Sequence, residues 1–96
     1  MNIEGIFSDE TNEYVSIQSL KNRQNIRIQI RIFKDDKPDI ILVNHQDNSE
    51  VVMSKLRSSE YFDFYYADLE DRDYLKYYFK IIDGEKTLFF TMFGVT

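Results

Sequence analysis

A chain of 96 residues has room for one domain, and with 43% hydrophobic side chains it can bury a core without staples. It has no cysteine, which excludes disulfides, thiol catalysis and zinc sites built on Cys. Seventeen acidic residues against twelve basic ones give a net charge of −5, which opposes nucleic-acid binding, and no run of Lys or Arg makes a basic stripe.

In chain order, the start at Met1 lacks the basic-then-apolar layout of a signal peptide, and no stretch approaches the roughly 20 apolar residues of a membrane span. A cytoplasmic protein with no membrane partner is the expectation. Ile3 to Phe7 and Tyr14 to Ile17 are weak strand candidates, separated by the polar loop Ser8 to Asn12. After a second polar stretch, Ser19 to Gln24, comes the strongest signal. Ile26, Ile28, Ile30 and Ile32 alternate with Arg27, Gln29 and Arg31 across Asn25 to Phe33. Successive strand side chains point to opposite faces, and β-branched residues favour the pleated surface, so this is a strand with one buried face.

Lys34 to Lys37 is polar, and Asp39 to Val43 is an apolar run after Pro38 that suits a covered strand. Asn44 to Glu50 is a loop, and Val51 to Leu56 a further weak strand. Between Tyr61 and Tyr66 the chain alternates again, with Phe62 and Phe64 expected inward and Tyr61 and Tyr65 outward. The acidic run Asp68 to Asp73 reads as a solvated connection. Leu75 to Ile82 alternates in turn, placing Tyr77 and Phe79 inward and Tyr78 outward. Asp83-Gly84 is a hairpin turn before the apolar run Lys86 to Met92, because both residues tolerate positive φ. About seven or eight short antiparallel strands in a single domain, 1–96, predict an all-β sandwich, with a small closed barrel as the competing architecture.

Chemistry is sparse. His45 is the single histidine, in a polar loop where a surface imidazole is the expected role, and any Ser-His system would have to form around it. Gly5, Gly84 and Gly94 are isolated, so no phosphate-cradling loop occurs. A glycosidase-like carboxylate pair needs a deep cleft that so small a domain struggles to build beside its core. The acidic run lacks the spacing of a calcium loop. No catalytic residue, metal or cofactor is expected.

The order of several strings carries a resemblance. Met1-Asn2-Ile3-Glu4-Gly5-Ile6-Phe7 resembles "M-x-x-E-A-I-Y/F-H". Ile26 to Arg31 with Lys34-Asp35-Asp36 resembles "L-x-L-R-L-R-x-K-K-x-D", and Ile40 to Val43 fits "V-x-L-x-Y". Ser59 to Tyr65 resembles "S-D-E-L-F-D-Y-W/F", Leu75 to Phe79 "L-R-Y-G/x-F", and Phe90 to Val95 "Y-T-E-x-G-F". Together they are similar to the N-terminal domain of neopullulanases, cyclomaltodextrinases and maltogenic amylases of glycoside hydrolase family 13. That domain is the family 34 carbohydrate-binding module, or alpha-amylase N-terminal immunoglobulin-like domain. Two departures stand out. Ser8 occupies the usual His position, and Asn44 to Asn48 lacks the aromatic of the loop that, in dimeric members, reaches toward the partner's active site.

The resemblance implies an immunoglobulin-like sandwich excised from a larger glycoside hydrolase, with the catalytic carboxylates in a (β/α)₈ barrel beyond Thr96. It also implies weak binding of α-glucan oligosaccharides such as starch, pullulan or cyclodextrin segments. Sugar C–H faces stack on exposed aromatic rings. Tyr61, Tyr65, Tyr78 and Tyr14 are therefore the candidates for sugar contact. The alternative is a purely structural domain, packed on its own barrel or on a second subunit, with Ile82 and Phe90 as interface candidates beside Tyr65 and Tyr78. An unrelated immunoglobulin-like adhesion or receptor domain is opposed by the absence of a cysteine pair and of Trp.

Overall fold

The alternation at Ile26 to Ile32 organises the whole molecule. In a computed structural model that describes residues 1, 3–9, 11, 13–20, 23–45, 48–70, 76–91 and 94–95, these isoleucines lie on the long strand β2, Arg23–Phe33. Ile28, Ile30 and Ile32 are fully buried. The elements before it are a 3₁₀ turn, Ile3–Gly5, and β1, Val15–Leu20. After it come β3 (Asp39–Asn44), β4 (Glu50–Val52), β5 (Ser54–Ser58), β6 (Phe62–Glu70), β7 (Tyr77–Asp83), β8 (Lys86–Thr91) and β9 (Gly94–Val95).

Two antiparallel sheets result. The first runs β1-β2-β6-β5 and the second β4-β3-β7-β8-β9. The sheets are separate, so the architecture is the sandwich and not the barrel. Nine strands stand among the described residues, the two-residue β9 adding to the expected seven or eight. Ile40, Leu42, Phe79 and Ile81 of the second sheet meet Ile28, Ile30, Ile32 and Ala67 of the first, with Ile6 and Met53 closing the core. Each fully buried aliphatic side chain contributes about 1.5–3 kcal/mol relative to exposure.

Four local expectations are corrected. Ile3 to Phe7 is not a strand: Phe7 alone bridges to Arg31, after the 3₁₀ turn. The chain passes so close to β2 there that a Cβ on Gly5 would lie 2.6 Å from the Phe33 ring and 2.8 Å from its backbone nitrogen. Only glycine fits. Val51 to Leu56 is two strands in different sheets, parting at buried Met53, whose amide donates to the Ile40 carbonyl at 2.8 Å. The β7–β8 turn is Gly84-Glu85, with Gly84 at φ +61°, while Asp83 still pairs with Lys86. Asp83 accepts the Met1 ammonium at 2.6 Å.

The fourth correction matters most. On β6, Ile32 opposes Asp63, Ile30 opposes Tyr65, Ile28 opposes Ala67 and Ile26 opposes Leu69. Directly opposed residues share a face. Asp63, Tyr65, Ala67 and Leu69 therefore face inward, and Phe62 and Phe64 outward, the reverse of the expectation. Asp63 is 1% exposed and is held by the Ser58 hydroxyl at 2.6 Å and the Lys55 ammonium at 3.4 Å. On β7 the expectation holds, with Phe79 buried and Tyr77 packed on the core. Leu75, the start of that predicted run, lies outside the described residues, as do Asp71 to Asp73 of the acidic run and Met92 at the end of the last apolar run.

Candidate functional site

The four candidate tyrosines do not share a surface. Tyr61, at the entry to β6, is 65% exposed. Tyr78 stands on the outer face of the second sheet, edge-on to His45 at 5.9 Å and tilted against Phe89 at 6.0 Å. Tyr65 faces the core, contrary to its outward assignment, because its register partner Ile30 is fully buried. Burial, then the nearby Asp63 carboxylate, raises its pKa. Tyr14 is 4% exposed, edge-on to the Phe7 ring at 5.3 Å. Burial raises the Tyr14 pKa, with Arg31 pulling the other way.

The interface candidates also part company. Ile82 lies half-buried on the outer face of the second sheet, in register with Asp39 and Thr87. Phe90 does not reach that face. It opposes Phe79 and packs on the core, leaving Phe89 outward and 37% exposed.

The register brings other residues together. Across the outer face of the first sheet, Arg57, Phe64, Arg31 and Phe7 form one row over β5, β6, β2 and the N-terminal segment. The Arg57 guanidinium carbon lies 3.8 Å from the centre of the Phe64 ring. That of Arg31 lies 4.2 Å from Phe62 and 5.1 Å from Phe7. Two residues along, Arg27 covers Tyr66 at 4.6 Å and grips both oxygens of Asp68, at 2.8 and 3.0 Å. Phe33 and Phe62 stack at 5.4 Å. The planar guanidinium suits this stacking.

A groove of about 540 Å³ opens where the N-terminal segment leaves the first sheet and faces the second. One wall is Phe7, Ser8 and Asp9. Two backbone hydrogen bonds between Phe7 and Arg31, at 3.1 and 2.9 Å, fix that wall to β2, and the Ser8 hydroxyl donates to the Gln29 carbonyl. The opposite wall is aromatic: Tyr77 and Phe79 of β7 meet edge-on at 5.6 Å, and Phe90 of β8 tilts against Phe79 at 6.1 Å. Thr91 and Gly94 close one end, where Gly94 takes φ +97° and pairs with Thr91 in the tight β8–β9 turn.

Asp9 is the single carboxylate on the groove, and its Oδ1 accepts from the Thr11 amide at 2.9 Å and hydroxyl at 2.6 Å. Retaining or inverting glycoside hydrolysis takes two carboxyl groups, so this groove is equipped to hold a ligand and not to cleave one. His45 is exposed in its loop. Among the described residues no cluster of His, Asp and Glu is placed to hold a metal ion, and no helix is long and apolar enough to cross a membrane. The groove escaped the sequence reading because its walls come from residues 7–9, 77–79 and 90–94, which no local pattern connects.

Comparison with known proteins follows from this geometry. The profile of the family described as alpha amylase, N-terminal ig-like domain, matches residues 1–96. A search of curated protein sequences returns no match. Among solved structures, one described as cyclomaltodextrinase superposes with a TM-score of 0.76 at 20% sequence identity. That match covers 100% of this chain and 17% of the other, so this chain spans about a sixth of that relative's length. At this identity the likeness is one of fold.

Proposed function

The chain belongs to the family of alpha-amylase N-terminal immunoglobulin-like domains, and we propose that it is a non-catalytic accessory domain contributing to α-glucan binding and substrate selection in a larger, cytoplasmic glycoside hydrolase. The observation that supports this reading is aromatic surface left outside a closed core. Tyr61, Phe7 and Phe89 are 65%, 38% and 37% exposed. Exposed rings suit the C–H faces of pyranose sugars, and a domain with a single groove carboxylate has little to offer hydrolysis. A relative described as cyclomaltodextrinase makes cyclic as well as linear α-glucans the ligands to try.

The test is titration of this chain with maltotriose and with β-cyclodextrin, followed by amide chemical shifts. Binding in the region of about 1 mM is expected, since small contact areas lose much of their gain to ordering costs. Absence of shifts at saturating sugar would remove the binding role.

A second reading has its own observation. The outer face of the second sheet carries Ile41, Val52 and Phe89 around the Lys80 stem, with Tyr78 and Ile82 alongside, and Val52 is 73% exposed. An apolar face of this kind suits packing against the parent's catalytic barrel or a second subunit. In that case deleting the domain alters assembly, read by sedimentation of the truncated parent, while sugar leaves the isolated chain's spectrum unchanged.

A further inference from the structure

We propose that the groove between Phe7–Asp9 and the Tyr77–Phe79–Phe90 wall is the domain's sugar site, and that it takes a neutral, hydroxyl-rich pyranose unit in preference to an acidic one. This rests on the α-glucan reading above and gives it an address. The volume, about 540 Å³, falls within the ~300–1,000 Å³ of pockets that bury small ligands. Its composition is what a pyranose ring needs. One wall offers aromatic rings on adjacent strands, for the apolar C–H faces. The other offers hydroxyl and carboxylate oxygens, for the ring's polar edge.

Preorganisation supports the assignment. Phe7 and Ser8 are tied to β2, Phe79 is buried in the core, and the Thr91–Gly94 turn is closed by its own pairing. A ligand therefore meets a surface that has little ordering left to lose. Asp9 sets the chemical class. With Oδ1 engaged by Thr11, its second oxygen has no partner among the described residues and accepts hydroxyl donors facing the groove. A carboxylated sugar placed there meets like charge, inside a chain that is already −5.

The competing surfaces serve less well. On the first sheet's outer face, guanidinium groups already cover Phe62, Phe64 and Tyr66. The second sheet's outer face is open, yet it offers no carboxylate and hydroxyl set opposite its rings.

The experiment is amide-shift mapping with maltotriose, repeated with maltobionate, a glucosyl unit joined to an aldonic acid. Maltotriose is expected to shift residues 7–9, 77–79 and 90–94, and maltobionate to bind about tenfold more weakly. Asp9→Asn keeps an acceptor for Thr11 and removes the charge, so it should weaken maltotriose severalfold and narrow the gap between the two sugars. Tyr77→Phe keeps the ring and tests the hydroxyl separately. Maltotriose shifts centred on Tyr78 and Phe89 would leave α-glucan binding standing and overturn the groove. Equal affinity for both sugars would overturn the charge argument. Silence at every residue would overturn the α-glucan reading itself.

Discussion

The two outer faces of the sandwich handle exposed ring and aliphatic surface in opposite ways. On the first sheet, Arg27, Arg31 and Arg57 each lie over an aromatic ring, so Phe62, Phe64 and Tyr66 are capped by cations. On the second sheet, Val52, Ile41 and Phe89 form a row interrupted only by Lys80, whose ammonium reaches Glu50 at 3.9 Å. The first face is finished by its own side chains. The second is left for something else. The difference shows that aromatic residues at outward strand positions carry no single meaning: what lies opposite them in register decides whether they are surface or support.

The largest expected effect lies beneath both faces. Phe79→Ala opens a cavity where Tyr77 and Phe90 meet the isoleucine core, and should cost about 3–5 kcal/mol, measured by urea denaturation. A cost near zero would mean that the two sheets do not depend on each other, and the comparison of their outer sides would lose its common base.

On the first face, Arg31→Ala removes a guanidinium held between two rings and should cost about 2 kcal/mol. Arg31→Lys should regain only part of this, because an ammonium does not stack as a plane. Full rescue by Lys would reduce the row of cations to simple charge.

Alkaline titration sharpens the contrast from inside. Tyr14 and Tyr65 both have pKa values raised chiefly by burial. Each therefore holds its proton more tightly folded than unfolded. The stability this contributes is complete below the unfolded value of about 10 and is lost as pH rises through the folded value. Thermal unfolding should become easier above about pH 10, and Tyr65→Phe should lessen that trend. A stability that rises with pH in this window would contradict the inward placement of Tyr65.

The smallest effect on folding is expected on the second face. Val52→Lys should change stability by no more than about 0.5 kcal/mol, as is usual at exposed positions. If this face docks on a barrel or second subunit, the same substitution in the parent should disrupt assembly, visible by sedimentation. A large loss of folding stability would instead show that the row supports the fold.

Much of the architecture is legible in the chain. The Ile26 to Ile32 alternation pairs a regular period with β-branched residues, and nothing competes with it. β7 is similarly readable because Phe79 and Ile81 alternate with Tyr78 and Lys80. β6 is not. Tyr61, Phe62, Phe64, Tyr65 and Tyr66 put rings on both sides, so local hydrophobicity has no preferred parity. The choice is made by pairing, which sets Asp63 and Ala67 against the fully buried Ile32 and Ile28. The same non-local cause hid the groove. Met53 divides what reads as one strand because each sheet takes an edge from it, a topological fact with no local signature.

The strand at the free border of the first sheet carries a consequence for how copies of this chain meet. β5 loses register between Lys55 and Arg57, so two of its residues bulge where a regular ladder would continue, and both flanking side chains are charged. A broken hydrogen-bonding border with cations on it is a poor template for another strand. Fibril-like growth through this border is thereby discouraged, and crowding or partial heating should leave it the last side of the molecule to zip onto a neighbour.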